Sequence, residues 1–355
     1  MLHYAYDDSM TSTPAPVMIA DRYEKVRDLG GGAFGEVYEV IDHHLGGTTA
    51  ALKLLKSHPL GIWEEAQVLR RVAGEHLLPV QNADLAAGVP FIVTDLATHG
   101  SIAEQITPHV GMPIDRAIRW GRQMCQGIAR LHDFGLLHCD LKPENIFLNG
   151  SGDALVGDLG LAQLEDPNGV VLAAGSPLTM APEVCAGMAG LTPPRCYSAL
   201  SEVFSLGACV YWMLAGAPPR PLMSYPDLAK TQVPDIWEAA PHLPRGLRDV
   251  VNRSLSADVM ERQWSPSHLD AALSAFRRPE RSWTRVQPHP EHRDCFVGTK
   301  SGAQTVSVCV AANPSRSGFL IDVRYEKSQR ALREHCGSSS EAGLGRQLRN
   351  IFRSC

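Results

Sequence analysis

His138-Cys139-Asp140-Leu141-Lys142-Pro143-Glu144-Asn145 is the stretch on which the reading of this chain turns. Its eight residues hold a carboxylate, an ammonium two places later and a carboxamide three places after that. A carboxylate can take a proton from a hydroxyl, a compact ammonium can offset charge growing on a neighbouring group, and an amide oxygen can ligate a hard cation. Thirteen residues after Asn145 comes Asp158-Leu159-Gly160, and Asp158 is a second oxygen donor of the kind such a cation takes. Ala181-Pro182-Glu183 follows further on. Four residue types coinciding at fixed spacing is a specific signal.

Working back toward the N-terminus, Gly30-Gly31-Gly32-Ala33-Phe34-Gly35-Glu36-Val37 fits GxGxxGxV. Gly30, Gly32 and Gly35 carry no Cβ, so backbone amides can approach phosphate oxygens closely. A dinucleotide-binding turn would need a helix directly after the glycines, whereas Glu36 to Val40 continues as a strand. Lys53 ends Ala50-Ala51-Leu52-Lys53, 18 residues after Gly35, on the next predicted strand. A short helix should follow, with Glu65 and Leu69 on one face; Glu65 would pair with Lys53, and Glu64 is the alternative partner. Only seven of the 33 basic residues are lysines, yet positions 53 and 142 both are. A planar guanidinium does not substitute freely for a compact ammonium.

Taken in this order, the motifs resemble those of the eukaryotic-type serine/threonine protein kinases, over about Asp21 to Phe276. The resemblance implies a bilobal α+β fold, with a small β-rich N-lobe and a larger helical C-lobe, and transfer of the γ-phosphoryl group of ATP to protein Ser or Thr hydroxyls with Mg2+. It implies that Asp140 takes the hydroxyl proton, Lys142 offsets phosphoryl charge, Lys53 reaches the α- and β-phosphates, and Asn145 and Asp158 hold the metal. It further implies that Val37, Ala51 and Phe147 enclose the adenine, that Thr94 is the gatekeeper, and that Asp95 to Ala97 form the hinge. Ser176 takes the substrate-facing position, and Arg262 bridges to Glu183. Two other readings are a pseudokinase scaffold and a small-molecule kinase of the same fold. The retained Lys53, Asp140, Asn145 and Asp158 weigh against the first; Lys142-Pro143 and the Ala181-Pro182-Glu183 segment weigh against the second.

Three departures from the family pattern matter. Cys139 replaces the arginine that receives an activation-loop phosphate, and Leu161 to Ala174 contains no Ser, Thr or Tyr. Receptor and acceptor are missing together, so activity without activation-loop phosphorylation is expected; a redox role for Cys139 is the competing reading. Leu159 replaces a phenylalanine. Glu202 stands where an aspartate anchors the catalytic loop, one methylene longer.

The rest of the chain sets the frame. With 44% hydrophobic and 20% charged residues among 355, the composition is that of a globular protein with a large core. A net charge of -5 gives no support for nucleic-acid binding, and none is expected. Nine cysteines without a CxxC pair read as reduced thiols, which with no signal-peptide pattern and no membrane span points to the cytoplasm. The expected domains are a flexible tail (1–20), the N-lobe (21–97), the C-lobe (98–277) and a small α+β domain (282–355). In that last domain, Thr305 to Ala311 and Phe319 to Tyr325 read as a hairpin, and Ser328 to His335 and Leu344 to Phe352 as helices. It carries 11 basic against 6 acidic residues, and the arginines of the last helix read as a solvated face. His289, His292 and Cys295 form an HxxHxxC spacing, with Cys309, His335 and Cys336 further on, that zinc could use, but a loop histidine pair and buried thiols is the preferred reading. A regulator or substrate is the expected partner of this domain.

Overall fold

The computed structural model describes residues 16–32, 35–55, 72–276, 279–315 and 317–355. The chain divides into two compact units: the described residues up to 55 with Pro79–Leu96, and Val72–Leu78 with Ala97–Cys355.

In the first unit, β1 (Met18–Ile19), β2 (Tyr23–Gly32), β3 (Gly35–Asp42), β4 (Thr48–Leu55), β5 (Val80–Ala86) and β6 (Val89–Asp95) form one antiparallel sheet, ordered β1-β2-β3-β4-β6-β5. Period-two alternation decides its faces. Tyr38, Val40, Ala50, Leu52, Phe91 and Val93 are buried together on one side. Val37, Ala51, Lys53 and Thr94, each offset by one residue, lie half-buried on the other. The sheet starts earlier than the expected boundary at residue 20, because Met18 and Ile19 already pair with Glu24 and Tyr23.

The second unit opens with α1 (Ile102–Gln105) and α2 (Ile114–His132), followed by the short strands β7 (Leu136–Leu137), β8 (Ile146–Leu148), β9 (Ala154–Val156), β10 (Gln163–Leu164) and β11 (Val170–Leu172). Next come α3 (Pro182–Met188), β12 (Arg195–Ser198), α4 (Ala199–Ala215), α5 (Tyr225–Lys230), α6 (Ile236–Ala239), α7 (Arg245–Ser254) and α8 (Pro266–Ala275). Ile118, Met124, Ile128 and Leu131 make the buried stripe of α2. The apolar run from Phe204 lies in α4, which is buried on nearly every face; among the described residues no helix is long and apolar enough to cross a membrane.

Residues 282–355 build an antiparallel meander of β13 (Ser282–Val286), β14 (His292–Thr299), β15 (Val306–Ala312), β16 (Phe319–Tyr325) and β17 (Gly337–Ser339), closed by α9 (Glu341–Ser354). Trp283, Phe296, Val308, Val310, Ile321 and Val323 pack against Leu344, Leu348 and Ile351 of α9. Each such buried side chain contributes on the order of 1.5–3 kcal/mol. The helix expected at Ser328 to His335 does not form. Gln329 adopts φ 55°, Ala331 bridges Arg324, and the Leu332 N–H donates to Val323 O at 2.8 Å. The segment folds back along β16 because Leu332 has an apolar core to join there. Strands β13 and β14 had no counterpart in the sequence reading.

Candidate active site

The loop from His138 to Asn145 runs between β7 and β8, and its shape is set from below by α4. Glu202, in the first turn of α4, is fully buried and accepts the Cys139 N–H at 2.9 Å through Oε1. Its Oε2 meets His132 Nε2 at 2.7 Å, and the Tyr197 hydroxyl donates to Oε1 at 3.3 Å. Burial is the largest single influence and works against the charge on both partners, but their mutual hydrogen bond and the attraction of opposite charges together outweigh it. The Glu202 carboxyl is held below its ordinary range, and His132 is raised above its own. The longer side chain of Glu202 is thus absorbed while still reaching the loop backbone. Cys139 sits at φ 65°, in the left-handed region that non-glycine residues avoid. Burial pushes its thiol far above the ordinary value, which removes the thiolate character a redox switch needs.

That bend presents Asp140. Its Oδ2 accepts from Lys142 Nζ at 2.8 Å and Asn145 Nδ2 at 3.0 Å, and its Oδ1 accepts from Ser176 Oγ at 2.5 Å. Lys142 Nζ also donates to Ser176 Oγ at 3.1 Å, closing a ring of Asp140, Lys142 and Ser176. Burial would raise the Asp140 carboxyl, yet the Lys142 ammonium and Ser176 hydroxyl outweigh it and keep it lowered. His138 holds the loop from the other side. Its Nδ1 accepts the Asp140 N–H at 3.2 Å, so the proton lies on Nε2, which donates to Gly157 O at 2.9 Å.

The β8–β9 hairpin brings the two oxygen donors to one end. Ile146 pairs with Val156, and the next residues outward are joined by Gly157 N–H to Asn145 O at 2.9 Å. Asp158 follows at φ 53°, a conformation aspartate tolerates better than most side chains. Both Nδ2 hydrogens of Asn145 are spent on Asp140 O and Oδ2, which turns Oδ1 the other way. An amide oxygen and a carboxylate are hard donors, and this pair suits Mg2+.

The segment between Asp158 and Glu183 is secured by strand pairing and by polar and ionic contacts, among them Arg195 with Asp166 at 3.4 Å. Strand β10 pairs with β7, and β11 pairs with β12. Gln163 clamps the segment by exchanging hydrogen bonds with the Leu172 backbone, both at 3.2 Å, and its Nε2 lies 3.8 Å from Cys139 Sγ. Gly175 then passes so close to the loop that a Cβ would lie 2.3 Å from Cys139 O. Thr179 Oγ1 donates to Leu141 O at 2.6 Å, and Arg262 grips Glu183 with two hydrogen bonds of 2.8 Å. The Arg262–Glu183 pair was expected; the roles of His132, Gln163 and Thr179 were not. The small residues of Gly175-Ser176-Pro177, packed tightly before Ala181-Pro182-Glu183, were the available signal for a close approach here.

In the first unit, Lys53 is the cross-strand partner of Val37, and Ala51 is paired with Thr94. Gly30 pairs with Val37 and Gly32 with Gly35, where a Cβ would lie 2.2 Å from Leu54 O. Asp95 ends β6 and accepts from Gln81 Nε2 at 2.7 Å. Ala97 and Phe147 belong to the second unit, Phe147 half-buried on β8. Glu64, Glu65 and Leu69 lie outside the described residues.

Comparison with known proteins adds an independent line. The family described as the protein kinase domain matches residues 23–271. The serine/threonine protein kinase OSK3 of Oryza sativa is 28% identical over 248 residues, 68% of this chain and 47% of that protein. The serine/threonine-protein kinase pkn2 of Myxococcus xanthus is 31% identical over 287 residues, 74% of this chain and 33% of its own length. PknK of Mycobacterium bovis, also named a serine/threonine-protein kinase, is 28% identical over 294 residues, 78% of this chain and 25% of the relative. The chain therefore spans about half or less of the length of these relatives.

Proposed function

The chain belongs to the protein kinase family, of the eukaryotic serine/threonine type, and from that premise we propose that it transfers the γ-phosphoryl group of ATP to Ser and Thr hydroxyls of proteins, with Mg2+. The observation that carries this reading is the setting of Asp140. One carboxylate oxygen is fixed by Lys142 and Asn145, and the other already accepts a hydroxyl hydrogen bond, from Ser176. A carboxylate so oriented and kept ionised is equipped to receive the proton of an attacking hydroxyl. Lys142, beside it, would offset charge on the group in transit.

Asn145 Oδ1 and the Asp158 carboxylate would hold Mg2+, which when bound supplies charge neutralisation at the phosphate oxygens. Lys53 would hold the α- and β-phosphates, with the backbone of Gly30, Gly32 and Gly35 over them. Val37, Ala51 and Phe147 would contact the adenine faces, and Thr94 and Asp95 to Ala97 its edge. Lys142, two places after Asp140, and the similarity to relatives named as serine/threonine protein kinases favour Ser/Thr acceptors.

We further propose activity without activation-loop phosphorylation. Gln163, which clamps Leu172 and reaches Cys139 Sγ, and the pairings of β10 with β7 and β11 with β12 support it, since they hold the segment in place where the family pattern uses an arginine and a phosphate. Nine unpaired cysteines support a cytoplasmic setting. Incubation with labelled ATP, Mg2+ and a generic protein substrate should place label on Ser or Thr, before and after phosphatase treatment alike. Label on a small metabolite and none on protein would contradict the assignment. Phosphatase-sensitive activity with a site mapped between residues 161 and 174 would end the second proposal.

A further inference from the structure

The motif left over from the kinase reading is His289-x-x-His292-x-x-Cys295, and in the fold it acquires a fourth member, Cys309. The sequence alone favoured a loop histidine pair and buried thiols; in the structure His289 does lie in the turn before β14 and Cys295 is buried, but His292 begins β14 and Cys309 is only half-buried.

The cysteines are cross-strand partners, Cys295 on β14 facing Cys309 on β15. Their neighbours Phe296, Val308 and Val310 point into the apolar core, so both thiols project from the opposite face of the sheet. His292 should not join them there: three residues from Cys295 on a regular strand, it would point the other way. A β-bulge corrects the phase. His292 is opposite Ala311 and Asp294 opposite Val310, which leaves Arg293 as the extra residue and returns His292 to the side of Cys295. His289 is brought back by a tight turn in which its carbonyl accepts the His292 N–H at 3.1 Å. Pro290 follows it, and Glu291 is held at φ 68° where a turn of this kind prefers Gly or Asn. A bulge and a strained turn together aim two imidazoles at two thiols.

The distances identify what the four groups surround. His289 Nδ1 to His292 Nδ1, His292 Nδ1 to Cys295 Sγ, and Cys295 Sγ to His289 Nδ1 are each 3.3 Å. Cys295 Sγ to Cys309 Sγ is 3.5 Å and Cys309 Sγ to His289 Nδ1 is 3.7 Å, with all four atoms within 4.8 Å of one another. A tetrahedron with Zn–N near 2.05 Å and Zn–S near 2.3 Å has edges of roughly 3.3–3.8 Å. Hydrogen bonding does not account for the cluster. His289 Nδ1 has three neighbours at such distances and at most one hydrogen, and the sulfurs are too far apart for a disulfide, which needs about 2.05 Å.

We propose that His289, His292, Cys295 and Cys309 form a tetrahedral Cys2His2 site for one Zn2+ ion. Two thiolates and two neutral imidazoles balance the ion's charge, and loading releases the two thiol protons to solvent. Two sulfurs and two nitrogens in this geometry select zinc over Mg2+ or Ca2+. All four positions are filled by protein, so the site is structural: it pins the residue 289–292 turn onto the outer face of the sheet.

The test uses the whole 355-residue chain and is independent of phosphoryl transfer. Metal analysis of the purified chain should find one zinc per molecule. The chelator-stripped chain, titrated with Co2+, should develop the intense visible bands of tetrahedral cobalt with thiolate ligands, and Zn2+ should bleach them. His289→Ala should weaken Co2+ binding by more than about 100-fold, and Cys295→Ser with Cys309→Ser should abolish the bands, while Cys336→Ser keeps them. Substoichiometric zinc together with only the weak spectrum of octahedral cobalt in the unmutated chain would overturn the proposal, whatever the variants do. So would a Cys295–Cys309 disulfide in the chain as isolated.

Discussion

The Asp140 carboxylate is nearly buried and still charged, because the Lys142 ammonium and the Ser176 hydroxyl outweigh the desolvation that burial imposes. This has a pH signature. A base with a lowered pKa stays ionised as the medium is acidified, so the acid limb of kcat/KM set by Asp140 should lie below the ordinary carboxylate range. Removing the ammonium with Lys142→Met should raise that limb, besides slowing transfer. A pH–rate profile on a substrate without ionisable groups near neutrality checks it; an unmoved limb would mean that Lys142 does not govern Asp140. These residues were legible in the sequence because their chemistry sits in one contiguous stretch at fixed spacing. His132 and Gln163 were not: His132 acts through Glu202, 70 residues away, and Gln163 through the backbone of Leu172, which carries no side-chain signal.

At the scale of elements, the loop from His138 to Asn145 is fixed from three directions: by Glu202 of α4, by His138 through Gly157, and by the passage of Gly175 against Cys139 O. Gly175 has φ 112°, so Gly175→Ala brings both a backbone clash and an unfavourable conformation. It should cost about 2 kcal/mol or more of stability and reduce kcat, with ATP affinity retained. Denaturant melts and ATP titrations would show this, and a variant as stable and active as the parent would argue against the close approach. The alternation that built β3, β4 and β6 could be read directly, whereas β13 and β14 were hidden by Pro, His and charged residues that break the pattern. Ser328 to His335 misled for a tertiary reason, since β16 offers Leu332 a better partner than its own helix would.

On the scale of the second unit as a whole, the C-terminal sheet is joined to the helices by aromatic and cationic contacts. His242 lies 5.5 Å from Phe296, and Trp237 receives Arg248, Arg349 and Arg353 at 4.8, 4.9 and 5.8 Å. Two arginines of α9 therefore dock instead of presenting only the solvated face that the sequence suggested. Burial, with the nearby Arg285 charge, lowers His242 to about 3. The unfolded chain takes up this proton near pH 6.5 and the folded one does not, so the contribution to stability is complete above that value. It declines as pH falls toward 3, at up to about 1.4 kcal/mol per unit. Thermal melts from pH 7 to 4.5 should fall more steeply for the parent than for His242→Phe; parallel slopes would show that His242 is not buried neutral.

The central claim is most directly tested by measuring nucleotide binding and phosphoryl transfer side by side in the parent and in Asp140→Ala. The parent should bind ATP with Mg2+ and label protein Ser or Thr. Asp140→Ala should bind ATP within about twofold and transfer at least about 1000-fold more slowly, as loss of a positioned base requires. Turnover undiminished in Asp140→Ala would contradict it.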